Sequence, residues 1–116
     1  MKHHDKKRTL GRKTDERKAL LRSLACSLIR DGKIKTTEAK AKELRPFIEK
    51  LVTHAKTNTL AKKRFVISRL QNETQAKRLF SEVAPKYVKR NGGYTRIIKL
   101  PIRKSDSSKI AIIEFV

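Results

Sequence analysis

Thr36-Thr37-Glu38-Ala39-Lys40-Ala41-Lys42-Glu43-Leu44-Arg45-Pro46-Phe47-Ile48-Glu49-Lys50-Leu51-Val52-Thr53-His54-Ala55-Lys56 sets the plan of the chain. Its apolar residues recur at Leu44, Phe47/Ile48, Leu51/Val52 and Ala55, which is helical spacing. A threonine caps its start, and Glu38 places a negative charge in the first turn, at the positive end of the helix dipole. Lys40, Lys42, Arg45, Glu49, Lys50 and Lys56 occupy the opposite, mostly cationic face. The helix therefore has one side to bury and one to present. Pro46 removes a helical hydrogen bond and predicts a bend near Lys42 to Pro46.

The chain is one domain's length at 116 residues, and 30 of them are Leu, Ile, Val or Phe. That share, about 26%, exceeds the roughly 20% below which a highly charged chain stays disordered, so a modest core is expected. Charge is the stronger constraint: 31 Lys and Arg against 11 Asp and Glu give +20. A free globular domain gains nothing from such self-repulsion, and the imbalance implies a polyanionic partner. The longest aliphatic run, Ile110 to Ile113, is far short of a membrane span, which favours nucleic acid over lipid. The first residues carry no apolar signal region, and one cysteine forms no internal disulfide. Both observations predict a cytoplasmic protein.

Two units are expected, a basic arm over residues 1–13 and a single α+β domain over 14–116. The arm carries Lys2, Lys6, Lys7, Arg8, Arg12 and Lys13, with Met1 and Leu10 as its only sizeable apolar side chains. It has little to bury and orders by neutralising phosphates, or else remains a solvated tail. The first helix is read from Thr14 to Asp31, with Asp15 and Glu16 in its first turn. Leu20, Leu21, Leu24, Ala25 and Leu28 form its stripe, and Gly32 its stop. Its other face is small and basic, with Arg22 and Arg30 either placed for phosphate or part of a solvated face. Lys33 to Thr36 alternates as a first strand feeding the organising helix. A third helix spans Leu60 to about Leu70, with Lys62-Lys63-Arg64 either a phosphate contact or ordinary helix surface. A fourth begins at Asn72, whose spacing to Gln75 resembles a capping box, and ends at Pro85.

Asn91-Gly92-Gly93 is a turn, since paired glycines supply positive φ and admit a neighbouring backbone. Tyr94 to Arg103 then forms a strand with Ile98, Leu100 and Ile102 on one side and Thr95, Lys99 and Arg103 on the other. Pro101 places it at an edge or near its end. Tyr94 has two readings, a base stack or a core position, and its alternation with Ile98 and Leu100 favours the core. Ser105 to Ser108 turns the chain, and Lys109 to Val116 returns. The expected fold is four helices packed on a small three-stranded mixed sheet.

Converging catalytic groups are not legible. The acids sit at helix starts or pair one turn away, as in Glu38 with Lys42, Glu49 with Arg45 and Glu73 with Lys77. No two-metal carboxylate spacing and no phosphate-binding glycine loop with its lysine occur, and one cysteine excludes a zinc finger. Cys26 has no base within its helix, and adjacent His3 and His4 lack further ligands. No enzyme, metal or cofactor is expected.

Lys35-Thr36-Thr37, Lys40-Ala41-Lys42-Glu43-Leu44-Arg45 and above all Arg90-Asn91-Gly92-Gly93-Tyr94-Thr95-Arg96-Ile97 resemble the bacterial large-subunit ribosomal protein seventeen family. The likeness runs end to end, through Leu10-Gly11-Arg12, the helix from Ala19 to Ala25, Leu79-Phe80 and Ala111-Ile112-Ile113-Glu114. Two positions depart from it: Ser105 stands where the family often has glycine, and Glu16 where it often has histidine. The resemblance implies an α+β structural protein of the large ribosomal subunit. It would be bound to large-subunit (23S) rRNA near the peptide exit, beside neighbouring large-subunit ribosomal proteins. The candidate RNA contacts are the arm cations and Arg17, Arg22, Lys35, Thr36, Thr37, Lys40, Lys42, Arg45, Lys63 and Arg64. Arg90, Gly92, Gly93, Tyr94, Thr95, Arg96, Lys99 and Arg103 complete them. A DNA architectural protein would share the charge but needs wedge residues or a dimer seam, and an rRNA-processing enzyme needs an acid cluster.

Overall fold

The organising helix forms as its pattern demands. In the computed structural model, which describes residues 13–116, α2 spans Glu38–Ala55 and is capped by the Thr37 hydroxyl, which accepts from the Lys40 amide at 3.3 Å. It passes through Pro46 as continuous α-helix, and Ala41, Leu44, Ile48, Leu51, Val52 and Ala55 are buried along one side. The readings made at Lys2, His3, His4, Lys6, Lys7, Arg8, Leu10, Gly11 and Arg12 lie outside the described residues.

Ahead of it, α1 spans Thr14–Asp31 and stops at Gly32, whose φ of 82° lets its amide turn back to the Leu28 carbonyl at 2.7 Å. Glycine holds that left-handed conformation without steric cost. The buried residues of α1 are Ala25, Leu28 and Ile29, so the stripe is displaced slightly toward Ile29 from the expected Leu20 to Leu28. β1 (Lys33–Thr37) runs straight into α2. α3 (Leu60–Leu70) is capped by Thr59, and α4 (Glu73–Arg78) by Asn72, whose Oδ1 accepts from the Gln75 amide at 3.1 Å. Only one limb of the capping box forms, because the buried Gln75 Oε1 has no partner among the described residues. Pro85 does not end this helical path as expected. After α4 the chain takes one π-helical stretch, Leu79–Val83, then a 3₁₀ turn, Ala84–Tyr87, with Pro85 in its first turn. The first turn of a helix has no use for the amide that proline lacks, so a change of helix type admits the residue that a continuous α-helix rejects.

β2 (Thr95–Lys99) and β3 (Ile110–Phe115) complete a sheet of order β1-β3-β2. Both pairings are antiparallel, so the sheet is antiparallel throughout rather than mixed. Registers Ile34↔Ile113 and Ile97↔Ile113 set three isoleucines across its inner face, against α2. The faces of β2 are the reverse of the sequence reading: Thr95 is 3% exposed and Ile97 half-buried, whereas Ile98 is 40% and Ile102 57% exposed. Regular pairing is also shorter than Tyr94 to Arg103. It persists through Leu100, whose amide donates to Ile110, and Pro101 then offers no donor. The hairpin closes without glycine at Ser105. Ser107 takes φ 57°, Asp106 Oδ1 accepts from the Ser108 amide at 3.1 Å, and the Arg103 amide reaches Ser108 at 2.8 Å.

Gly92 and Gly93 both hold positive φ, 86° and 65°. A Cβ placed at Gly93 meets nothing within 4 Å, so the requirement is conformational rather than steric. Gly93→Val is expected to destabilise the protein by about 1–3 kcal/mol through left-handed strain, and Gly93→Asn by less, since asparagine tolerates that region. Urea unfolding of the two variants measures the difference.

Candidate nucleic-acid interface

Glu49, half-buried on α2, reaches across to the glycine loop that precedes β2. Its Oε1 accepts from the Gly93 amide at 3.1 Å, and its Oε2 accepts from the Thr95 amide at 3.1 Å and the Thr95 hydroxyl at 2.8 Å. Arg45 Nε stands 3.8 Å from the same carboxylate. Three donors on one carboxylate hold the loop in a single shape, because hydrogen bonds to a charged acceptor are stronger than neutral ones. Tyr94 is thereby turned inward, 1% exposed, with its ring 5.2 Å from that of Tyr87. Its hydroxyl donates to the Arg90 carbonyl at 3.2 Å and lies 3.3 Å from Thr53 Oγ1. The core reading of Tyr94 is the one the structure adopts.

What the loop leaves outside is cationic. Lys56 Nζ donates to the Arg90 carbonyl at 2.6 Å and sits 5.1 Å above the Tyr94 ring, and the Arg90 guanidinium lies 5.4 Å over Tyr87. Lys56 was absent from the sequence-derived candidates, because only the fold carries the end of α2 to the loop. Arg96 is exposed and paired across the sheet with Glu114 at 2.7 Å, as their register dictates.

A second concentration surrounds the start of α2. Lys42 lies 2.8 Å and Lys99 3.6 Å from Glu38, and the Glu38 amide donates to the Lys109 carbonyl at 2.9 Å. The hydrogen bond from Lys42 and the charges of Lys42, Lys99 and Lys109 hold the Glu38 carboxyl below its ordinary range. Two ammonium groups thus share one carboxylate, with Lys109 nearby, beside a shallow cleft of about 350 Å3 lined by Thr37, Ser108 and Lys109. Thr36 lies beneath, on the inner face of β1 opposite Ala111, while Lys35 is exposed and Lys40 half-buried. Arg103 is tied to Asp106 at 3.3 Å within the hairpin.

Two further groups lie on the helices. Arg17, Lys18, Arg22 and Arg69 line a cleft between α1, α2 and α3 with Glu43, and Lys13 is exposed at the head of α1. Lys63 and Arg64 are exposed on α3 and bear no ion pair among the described residues; nor does Lys77 of α4, for the expected Glu73–Lys77 pair does not form. The candidates therefore occupy several separate patches rather than one.

Cys26 is half-buried, and burial pushes its thiol up against the opposing effect of Arg22 and Arg30, the setting of an inert rather than a nucleophilic thiol. No group of metal-ligating side chains occurs among the described residues. His54 stacks on Phe65 at 4.2 Å between centroids and its Nδ1 accepts from Lys62 Nζ at 3.0 Å. Burial first, then the charges of Lys62, Lys50 and Arg69, lowers its pKa. The unfolded chain then binds this proton more readily than the folded one. The contribution of neutral His54 is complete above the unfolded value, about 6.5, and is lost as pH falls below it. Melting temperature should accordingly drop from pH 7.5 to 5.5, and the drop should be smaller in His54→Gln.

A family model described as Ribosomal protein L17 matches residues 20–116. The large ribosomal subunit protein bL17 of Fusobacterium nucleatum subsp. nucleatum is 50% identical over 116 residues, covering the whole of both chains. That of Hydrogenobaculum sp. is 52% identical over 117 residues, covering 100% of this chain and 99% of its own. The Sphingopyxis alaskensis protein is 53% identical over 116 residues, which span 84% of its length. With a resemblance running end to end and an α+β fold to match, the chain belongs to the ribosomal protein L17 family, as a structural ribosomal protein of the bacterial cytoplasm and not an enzyme.

Proposed function

We propose that this protein binds and stabilises large-subunit rRNA near the peptide exit region, among neighbouring large-subunit ribosomal proteins. Residues 14–116 act as one folded unit in this reading, and residues 1–13 as an arm laid on the RNA. One observation carries it: after the carboxylates have made their ion pairs, exposed cations on several sides of the fold, Lys35, Lys63, Arg64 and Lys77 among them, have no acidic partner among the described residues. A net charge of +20 spread in this way is compensated by a folded polyanion that touches the protein on more than one side. An RNA fold that packs around the domain meets that condition better than a straight duplex lying on one face. The names of the relatives support the large subunit, and the place near the exit rests on the resemblance alone.

Binding to large-subunit rRNA should weaken steeply with salt, since log K falls against log salt by about 0.9 for each duplex phosphate neutralised and about 0.7 for each single-stranded one. A slope near zero in a salt titration would defeat the electrostatic reading. Deleting residues 2–12 should leave the melting temperature nearly unchanged while sharply lowering rRNA affinity and incorporation into the subunit. Unfolding on deletion would mean that the arm is part of the core, and normal incorporation that it is a solvated tail. A density map of the assembled subunit tests the location, with the chain expected on the outer side near the exit and a site elsewhere overturning it.

A further inference from the structure

The cleft between α3 and α4 has a chemistry that phosphate neutralisation alone does not require. It is a hollow of about 480 Å3 lined by Leu60, Ile67 and Phe80 and by the exposed Lys63, Arg64 and Lys77. Leu60 is 62% exposed, a large apolar side chain in the first turn of α3 that the core does not cover. Phe80 is half-buried and shows part of its ring surface to the hollow. Glu73 also lines the cleft, yet neither Lys77 nor the two α3 cations forms an ion pair with it. The lining therefore sets three exposed cations against one carboxylate beside apolar side chains.

An occupant must bring a compact apolar surface and several negative charges together. Resting on the reading of this protein as an rRNA binder, we propose that the α3–α4 cleft receives one unstacked base of the rRNA, its ring against Phe80 and Leu60, with Lys63, Arg64 and Lys77 holding the flanking phosphates. A base in a paired A-form helix cannot enter, because its faces are covered by its neighbours. The site thus selects a bulge, loop or junction nucleotide. Base contact with aromatic and aliphatic side chains tolerates any base identity, so the selection is for local structure rather than sequence.

The test compares the full-length protein with Leu60→Ala, Phe80→Leu and Lys77→Ala, measuring affinity across a salt series for large-subunit rRNA and for a fully paired RNA duplex. Leu60→Ala suits the purpose because the side chain is largely in water and alanine favours a helix, so the fold is retained. The expected result is about fivefold weaker rRNA binding for Leu60→Ala and Phe80→Leu, with an unchanged salt slope and no loss on the duplex. Lys77→Ala should reduce the slope itself by about 0.7–0.9. Leu60→Ala and Phe80→Leu binding rRNA as tightly as the unaltered protein would overturn the proposal, as would an equal loss on the duplex. Normal rRNA binding with impaired incorporation into the subunit would give the cleft to a protein neighbour and overturn it as well. Failure of the unaltered protein to bind rRNA would instead bring down the broader reading on which it rests.

Discussion

One carboxylate ties the central helix to the loop that opens β2 and sets which way that strand faces. Glu49 projects from the buried central helix and takes the Gly93 amide, the Thr95 amide and the Thr95 hydroxyl. Hydrogen bonds to a charged acceptor contribute about 1.5–3 kcal/mol each. Thr95 is fixed inward by this contact, and since strand side chains alternate, every later residue of β2 inherits its side. Ile97 then joins Ile113 over α2 while Ile98 faces out. The two left-handed glycines bring Tyr94 into the core one residue before the strand begins.

The remaining electrostatics follow from scarcity of acid. Four carboxylates have specific structural tasks: Glu38 beside its lysines, Glu49 under the loop, Glu114 across from Arg96, Asp106 in the hairpin. With 11 acids against 31 Lys and Arg, no neutralising coat covers the basic surface. An exposed ion pair such as Arg103 with Asp106 contributes only about 0–1 kcal/mol, so it serves the hairpin's geometry more than stability. The free protein consequently carries uncompensated repulsion that is relieved when a polyanion is bound. His54 fits the same pattern, since burial first and then the cations around it oppose its protonation.

Elements with local signals were legible in the sequence. Thr14 to Gly32, the threonine cap before Glu38 and the paired glycines announce themselves through residue chemistry that acts within four or five positions. Features that depend on distant partners were not. The parity of β2 was misread because Ile98, Leu100 and Ile102 form the more apolar alternation, and nothing local reveals that a glutamate 46 positions earlier will claim Thr95. Pro85 was taken as a stop because a change to π and then 3₁₀ geometry leaves no sequence mark. The antiparallel β2–β3 hairpin follows from the turn between its strands, whereas the place of β1 beside β3 follows from tertiary packing. Of the candidate contact residues, the cations were identifiable by type. The sequence did not separate those free to meet a ligand, such as Lys63, from those already paired, such as Arg96.

Amide hydrogen exchange on the free protein addresses the Glu49 contact directly. If this carboxylate holds the loop before any RNA is bound, the amides of Gly93 and Thr95 exchange as slowly as hydrogen-bonded amides within the β2–β3 ladder. In Glu49→Gln, which retains the side chain's size but loses its charge, both should exchange markedly faster while the α1 amides remain protected. Exchange of Gly93 and Thr95 at the rate of an open loop in the unaltered protein would contradict the account, because the glycine loop would then acquire its shape only on binding.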